Sequence, residues 1–332
     1  MRLTTATKLV SIVAAAAGLS LVLTVAASAQ SLTKWKHGLV SAKGDAGIYF
    51  MALEKGYFKK HGLDVEFVEL RGDADVVRAL LADQLSSAEF SPGPSMVAND
   101  RGANIVLIGS SMSGFPYALY ARKEIKSWEE LKGKTFGVSA PGSTPDLIAR
   151  EMLRRKGVDP NSINIAAVGG TTARIQALAG GKIDATAAAS EYLPAQDKLG
   201  IKALGLAKDI VPEWPRFMIG IRKGTLDQQR ADAVKFLAGY IEGLAYAMSH
   251  RDEALALAAK ITKKPPSDPI FAAVYDEAKQ GNYVSTTAEV PADKIKWLQD
   301  VLLKAKKLTK PVDIAQYIDP SVRADALKLV KK

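Results

Sequence analysis

The chain of 332 residues carries 45 Lys and Arg against 35 Asp and Glu, a net charge of +10, with three His and no Cys. The absence of cysteine excludes disulfides, thiolate metal sites and a cysteine nucleophile. The positive balance favours anionic partners by long-range steering, although late lysines such as Lys304, Lys306, Lys307, Lys310 and Lys328 read as solvated helix faces.

In chain order, Arg2 and Lys8 flank the start, an apolar run follows from Leu9 to Val25, and Ala27-Ser28-Ala29 ends it. A basic n-region, a short apolar stretch and a small-x-small site describe a cleaved secretory signal peptide, residues 1–29, with the mature chain starting at Gln30. Its removal leaves 303 residues with 43 Lys and Arg, enough for two domains of roughly 150 residues each. Export places the protein in the periplasm and argues against a nucleic-acid partner.

From Lys34 strands and helices alternate, the signature of a helix-flanked parallel sheet. Trp35 to Val40 and Leu63 to Leu70 read as strands, and Gly47 to Lys55 and Asp73 to Ala82 as helices. A second unit opens with Ser127-Trp128-Glu129-Glu130 as a capping box, Thr135 to Ser139 as a strand, and Thr144-Pro145 as a cap followed by proline at the first helical position. Gly72, Ala79-Leu80, Leu85 and Ser86 recur 98 positions later as Gly170, Ala177-Leu178, Ile183 and Asp184. The repeat suggests two similarly built lobes. Pro116 to Ala121 and Phe217 to Arg222 are the candidate crossing strands. After them Leu237, Tyr240, Ile241, Leu244, Ala245 and Met248 form one helical stripe. The expected organisation is a discontinuous lobe 1 (30–117 plus 217–332) and an inserted lobe 2 (118–216), hinged at the two crossings.

Catalytic motifs fail. Gly133-Lys134-Thr135 imitates the end of a phosphate-binding loop, but Trp128 stands where its first glycine belongs, and no G-x-S-x-G elbow is present. His37, His61 and His250 have no metal-ligand spacing to one another.

Ala52-Leu53-Glu54-Lys55-Gly56-Tyr57-Phe58 with His61-Gly62-Leu63-Asp64-Val65, Trp128 to Val138, and Gly181-Lys182-Ile183-Asp184-Ala185 together resemble the NitT/TauT family of periplasmic substrate-binding proteins. That family serves ABC importers of nitrate, taurine and sulfonates and is related to thiamine-pyrimidine-binding proteins. The resemblance implies an α/β, type II two-lobed fold in which each lobe is a mostly parallel sheet. It also implies a monomer that works with the membrane subunits of an importer, uses no cofactor and does no chemistry. Ser86 departs from the pattern, standing where such proteins often carry an acid. Two alternatives stay open: a carrier of a neutral pyrimidine-like ligand, and an exported enzyme on the same fold. The fungal thiamine-pyrimidine synthases are similar in fold, but their cysteine-rich iron motif has no counterpart here.

Ligands of open α/β sheets lie beyond the carboxyl ends of the strands, where loops lead into helix N-termini. The candidate contacts are Ser41, Gly44 and Asp45 after the first strand, Ser91 and Gly93 after the third, and Ser113 before the outgoing crossing. Gly142, Ser143 and Thr144, Gly170 and Thr171, and Glu191 complete the set in the second lobe. The loop at 142–144 offers hydroxyls and free amides at a positive helix end, which suits an acidic ligand group.

Overall fold

The computed structural model describes residues 31–331, and the expected signal segment, 1–29, lies outside them. The alternating segments Thr33–Val40 (β1) and Leu63–Leu70 (β2) pair in parallel along their whole length. They are followed by β3 (Ser87–Phe90), β4 (Ile105–Met112), β5 (Tyr117–Arg122), β6 (Thr135–Val138) and β7 (Asn164–Ala167). β8 (Ala185–Ala189), β9 (Ile201–Leu206) and β10 (Phe217–Arg222) complete the series.

These strands make two sheets of one design, β2-β1-β3-β10-β4 and β7-β6-β8-β5-β9. In each sheet four strands run one way, and a single strand, β10 or β5, runs against them between two neighbours. The sheets are therefore mixed, and mostly parallel by strand direction. Each reversed strand is one of the two expected at the crossings. Both lie wholly in one sheet, and the chain changes sheet just before them, through residues 113–116 and 207–216.

The sequence repeat has a structural counterpart. Gly72 and Gly170 each precede a helix of nine residues, Asp73–Leu81 and Thr171–Ala179, and each helix leads into the third strand of its sheet, β3 or β8. Both glycines adopt extended backbone as N-caps, a position where glycine is tolerated without a capping side chain.

The first sheet is backed by the long helix Lys223–Ser249, kinked at Gln229. Leu237, Tyr240, Ile241, Leu244 and Met248 are buried along it as the stripe requires. Ala245 instead faces solvent, and Ala247 takes the inward position, because the 3.6-residue period turns 245 outward. A second apolar cluster runs without a break from Leu80, Phe90 and Met96 of the first lobe to Leu119, Phe136 and Trp214. The helix expected to be capped by Thr144 is Thr144–Arg155, and its cap position is Ser143, already extended at φ −71°, ψ 165°. Thr144 is its first helical residue, with a hydroxyl committed elsewhere.

Candidate functional site

β3 sits inside the first sheet and is buried throughout, so both its faces should be apolar. One of them is not. Ser87, Glu89 and Ser91 alternate on the same side, and all three are buried. At the inner end Ser87 Oγ takes a hydrogen bond from Trp35 Nε1 (2.8 Å) and meets His37 Nδ1 (2.8 Å). Burial holds His37 neutral, pushing its pKa down to about 3. In the middle, Glu89 Oε2 accepts from Tyr240 Oη at 2.8 Å. At the outer end Ser91 Oγ accepts from Arg216 Nη1 at 3.0 Å.

Arg216 ends the returning connection and is 5% exposed. Its guanidinium lies 3.7 Å from the Phe217 ring centre, 5.2 Å from that of Tyr117 and 5.4 Å from that of Phe115, a cation–π cradle built from both crossings. Among the described residues no carboxylate comes within ion-pair distance of it, although Asp73 and Asp45 act on its charge from further off, and Ser91 is the one hydrogen-bond partner of its side chain. Burying a guanidinium with most of its five donors unused is costly. Arg174, the other buried arginine among the described residues, is instead fully occupied. It donates to Ser139 Oγ (2.8 Å), Thr186 Oγ1 (3.1 Å), Thr171 Oγ1 (3.3 Å) and the carbonyls of Gly169 (2.7 Å) and Ala187 (3.3 Å).

Beside these groups lies a small cavity walled by Ser41, Lys43, Asp45, Tyr49, Glu89 and Phe217, among others, with a free space of about 10 Å³. That is room for about one water. Hydrogen bonds also join segments attached to the two sheets. Gly44 N–H donates to Glu191 Oε2 at 3.3 Å, Thr144 Oγ1 donates to Asp73 Oδ2 at 3.1 Å, and Ser190 Oγ donates to Glu277. Asp73 also accepts from Ser91 N–H at 3.0 Å.

The phenols beside Arg216 register opposite fields. Burial raises the Tyr117 pKa, but Arg216, Lys43 and Arg174 together pull it below the ordinary tyrosine value. Burial and the carboxyls of Asp45 and Glu89 drive Tyr49 well above that value. Glu89 itself is pushed up to about 7, chiefly by burial, against the pull of the Ser111 and Tyr240 hydroxyls and Arg216. Glu191 and Glu277 are also raised by burial. The cations thus weigh more on Tyr117 and the carboxyls more on Tyr49, and the Phe217 ring touches both Arg216 and Tyr49. Tyr49 meets that ring edge-on at 5.7 Å.

Of the residues expected from sequence, Ser41 and Asp45 line the cavity, Gly44 and Glu191 bond each other across the lobes, and Ser91 holds Arg216. Gly93 is buried in the first turn of the helix Pro92–Asp100. Ser113 donates to the Tyr283 carbonyl at 3.3 Å, and Gly170 and Thr171 begin the helix that carries Arg174. In the 142–144 loop the Gly142 amide and the Thr144 hydroxyl both donate to protein carboxylates. Gly142 N–H donates to Asp146 Oδ2 at 2.7 Å, Ser143 Oγ accepts from Ala140 N–H at 3.3 Å, and Thr144 binds Asp73. The carboxylate of Asp146 already sits where an acidic ligand group was expected. Sequence reasoning missed Arg216, Arg174, Glu89, Tyr49 and Asp73. Only Glu89 left a trace, as the acid in the alternating run Ser87-Ala88-Glu89-Phe90-Ser91. Among the described residues no cluster of three or more His, Asp or Glu side chains can hold a metal ion, and no helix is long and apolar enough to cross a membrane.

The family model described as NMT1/THI5 like matches residues 44–254. A protein of Brucella abortus described as a binding protein is 24% identical over 295 residues, 84% of this chain and 88% of its own length. The periplasmic aliphatic sulphonate binding protein SsuA of Escherichia coli superposes with a TM-score of 0.70 at 21% identity, covering 87% of this chain and 93% of that one. The periplasmic nitrate-binding protein NrtA of Synechocystis PCC 6803 gives 0.74 at 14% identity, over 90% and 89%. These likenesses establish the type II periplasmic binding protein fold, as the motifs around Gly56, Gly133 and Asp184 implied. With the family model matching residues 44–254, well over half its length, this chain belongs to the NMT1/THI5-like family.

Proposed function

We propose that this protein is the periplasmic solute-binding subunit of an ABC importer, delivered by its signal segment, which captures a small organic molecule with an acidic group and passes it on without altering it. Its lobes would be residues 30–117 with 217–332, and 118–216, parting and closing at the two crossings. The observation that carries the reading is Arg216, a buried guanidinium at the junction of both crossings with no carboxylate partner among the described residues. A protein retains such a group where a ligand completes its hydrogen bonds. The free space of about 10 Å³ is too small for an organic molecule, so capture requires the lobes to part first.

The acid therefore binds at Arg216, with Lys43 and Tyr117 beside it, while Thr144 and Glu191 serve closure. Native mass spectrometry of protein purified without denaturation would identify a retained ligand. Arg216→Gln should weaken its binding by about tenfold or more, the effect of losing a hydrogen bond to a charged group, with little change in ligand identity. Unchanged affinity in that variant, or chemical conversion of the bound compound, would overturn the reading.

A further inference from the structure

The acid-binding side accounts for Arg216 but leaves Glu89 unexplained. This carboxyl is 1% exposed, stands on the cavity wall, and has no cation within ion-pair distance among the described residues. The groups that face it are Tyr240 from the long helix, Tyr49 from the helix Ala46–Tyr49, Asp45 from the loop after β1, Ser111 from β4, and Arg216. Ser111 Oγ is buried without a partner at full hydrogen-bonding geometry. A carboxyl held only by hydroxyls, with no cation in ion-pair contact, is a poor element of a core, where burying a charge without a charged partner is destabilising. Its place on the cavity wall gives it another use.

Resting on the binding-protein reading, we propose that Glu89 is a specificity-determining ligand contact that receives an amine or other N–H cation, so that the site selects dipolar molecules over simple anions. The acid of such a ligand lies at Arg216 and the amine at Glu89, with the spacer passing the edge of Phe217. Phe217 fits that role. Its ring lines the cavity, carries Arg216 at 3.7 Å on its face, and meets Tyr49 at 5.7 Å. The charged groups acting on Tyr117 and Tyr49, mainly cations on the first and carboxyls on the second, give the same polarity. Carboxyls also outnumber cations here. Asp45, Asp73, Glu89 and Glu191 face Lys43, Arg174 and Arg216, so a ligand bringing only negative charge would enlarge the imbalance.

Proton exchange makes the proposal testable. An amine entering beside Glu89 stabilises its carboxylate and expels a proton, whereas an anion alone raises its proton affinity and draws one in. The probes are ω-aminoalkanoates of increasing chain length and the unsubstituted alkanoates of the same lengths, titrated calorimetrically at pH 7 in two buffers of different ionisation enthalpy. One aminoalkanoate should bind at least about tenfold more tightly than its alkanoate and release protons. Glu89→Gln, which keeps an oxygen for Tyr240, should lose both effects without a lowered unfolding midpoint. Equal or tighter binding of the alkanoates, proton uptake, or an amine preference that survives in Glu89→Gln would overturn the role of Glu89 and leave the binding-protein reading standing. Binding of neither series would overturn it together with the acid-binding role of Arg216. If Glu89→Gln proves unstable, Tyr240→Phe is the second variant. It removes the Tyr240 hydroxyl that competes for the carboxylate, and the amine preference should persist or grow; its loss would overturn the role of Glu89.

Discussion

At neutral pH the Glu89 carboxyl is balanced between its two protonation states, having been pushed up to about 7 by burial. A group whose folded pKa is raised contributes stability that is fully present below its unfolded value, near 4.5, and is lost as pH rises through 7. Stability should therefore fall between about pH 5 and pH 8, and Glu89→Gln should flatten that slope. The difference between the two proteins at pH 8 should be on the order of 3 kcal/mol, read from urea unfolding at a series of pH values. Individual site residues were poorly legible in the sequence for a physical reason. Arg216 gains its meaning from Phe115, Tyr117 and Ser91, which are remote in the chain and reach it only once both crossings are formed. Gly142 and Thr144 carried the right chemistry for a helix end, but Asp146 and Asp73 take those two donors internally.

Elements were far more legible than contacts, because periodicity is local. The strand Leu63–Leu70 matches its reading residue for residue, and the two nine-residue helices fall where the repeat puts them. What periodicity does not reveal is how closely elements approach. In the long helix behind the first sheet, a Cβ on Gly243 would lie 2.4 Å from Ala52 Cβ and 2.5 Å from Ala52 backbone atoms. The short helix Met51–Glu54 therefore presses directly on this glycine. Alanine is the better helix former by about 1 kcal/mol, yet here the clash is with backbone and dominates. Gly243→Ala should destabilise the protein by about 1–3 kcal/mol, seen as a lower midpoint in thermal unfolding. A neutral or stabilising effect would mean that the two helices part without cost.

For the molecule as a whole, we propose that the carboxylate of Asp73 acts as a latch. One oxygen takes the Ser91 amide of its own lobe and the other the Thr144 hydroxyl of the opposite lobe. Thr144→Val keeps the shape and removes the second bond, so the open form should gain by about 1.5–3 kcal/mol, more than tenfold in its population. Small-angle scattering of the unliganded variant should show a larger radius of gyration that returns to the wild-type value on saturation with ligand. The pairing of strands also dictates an order of assembly. β5 to β9 come from one uninterrupted stretch, whereas β4 finds its sheet neighbour only in β10, after the second lobe has been made. A chain emerging from its N-terminus thus holds β4 as an unpaired edge through the synthesis of just over a hundred residues, and such late, long-range pairing is slow. Pulse-labelled hydrogen exchange during refolding should protect amides of β5 and β8 before those of β4 and β10, and the delay would keep the young polypeptide threadable through a narrow channel until its end is free.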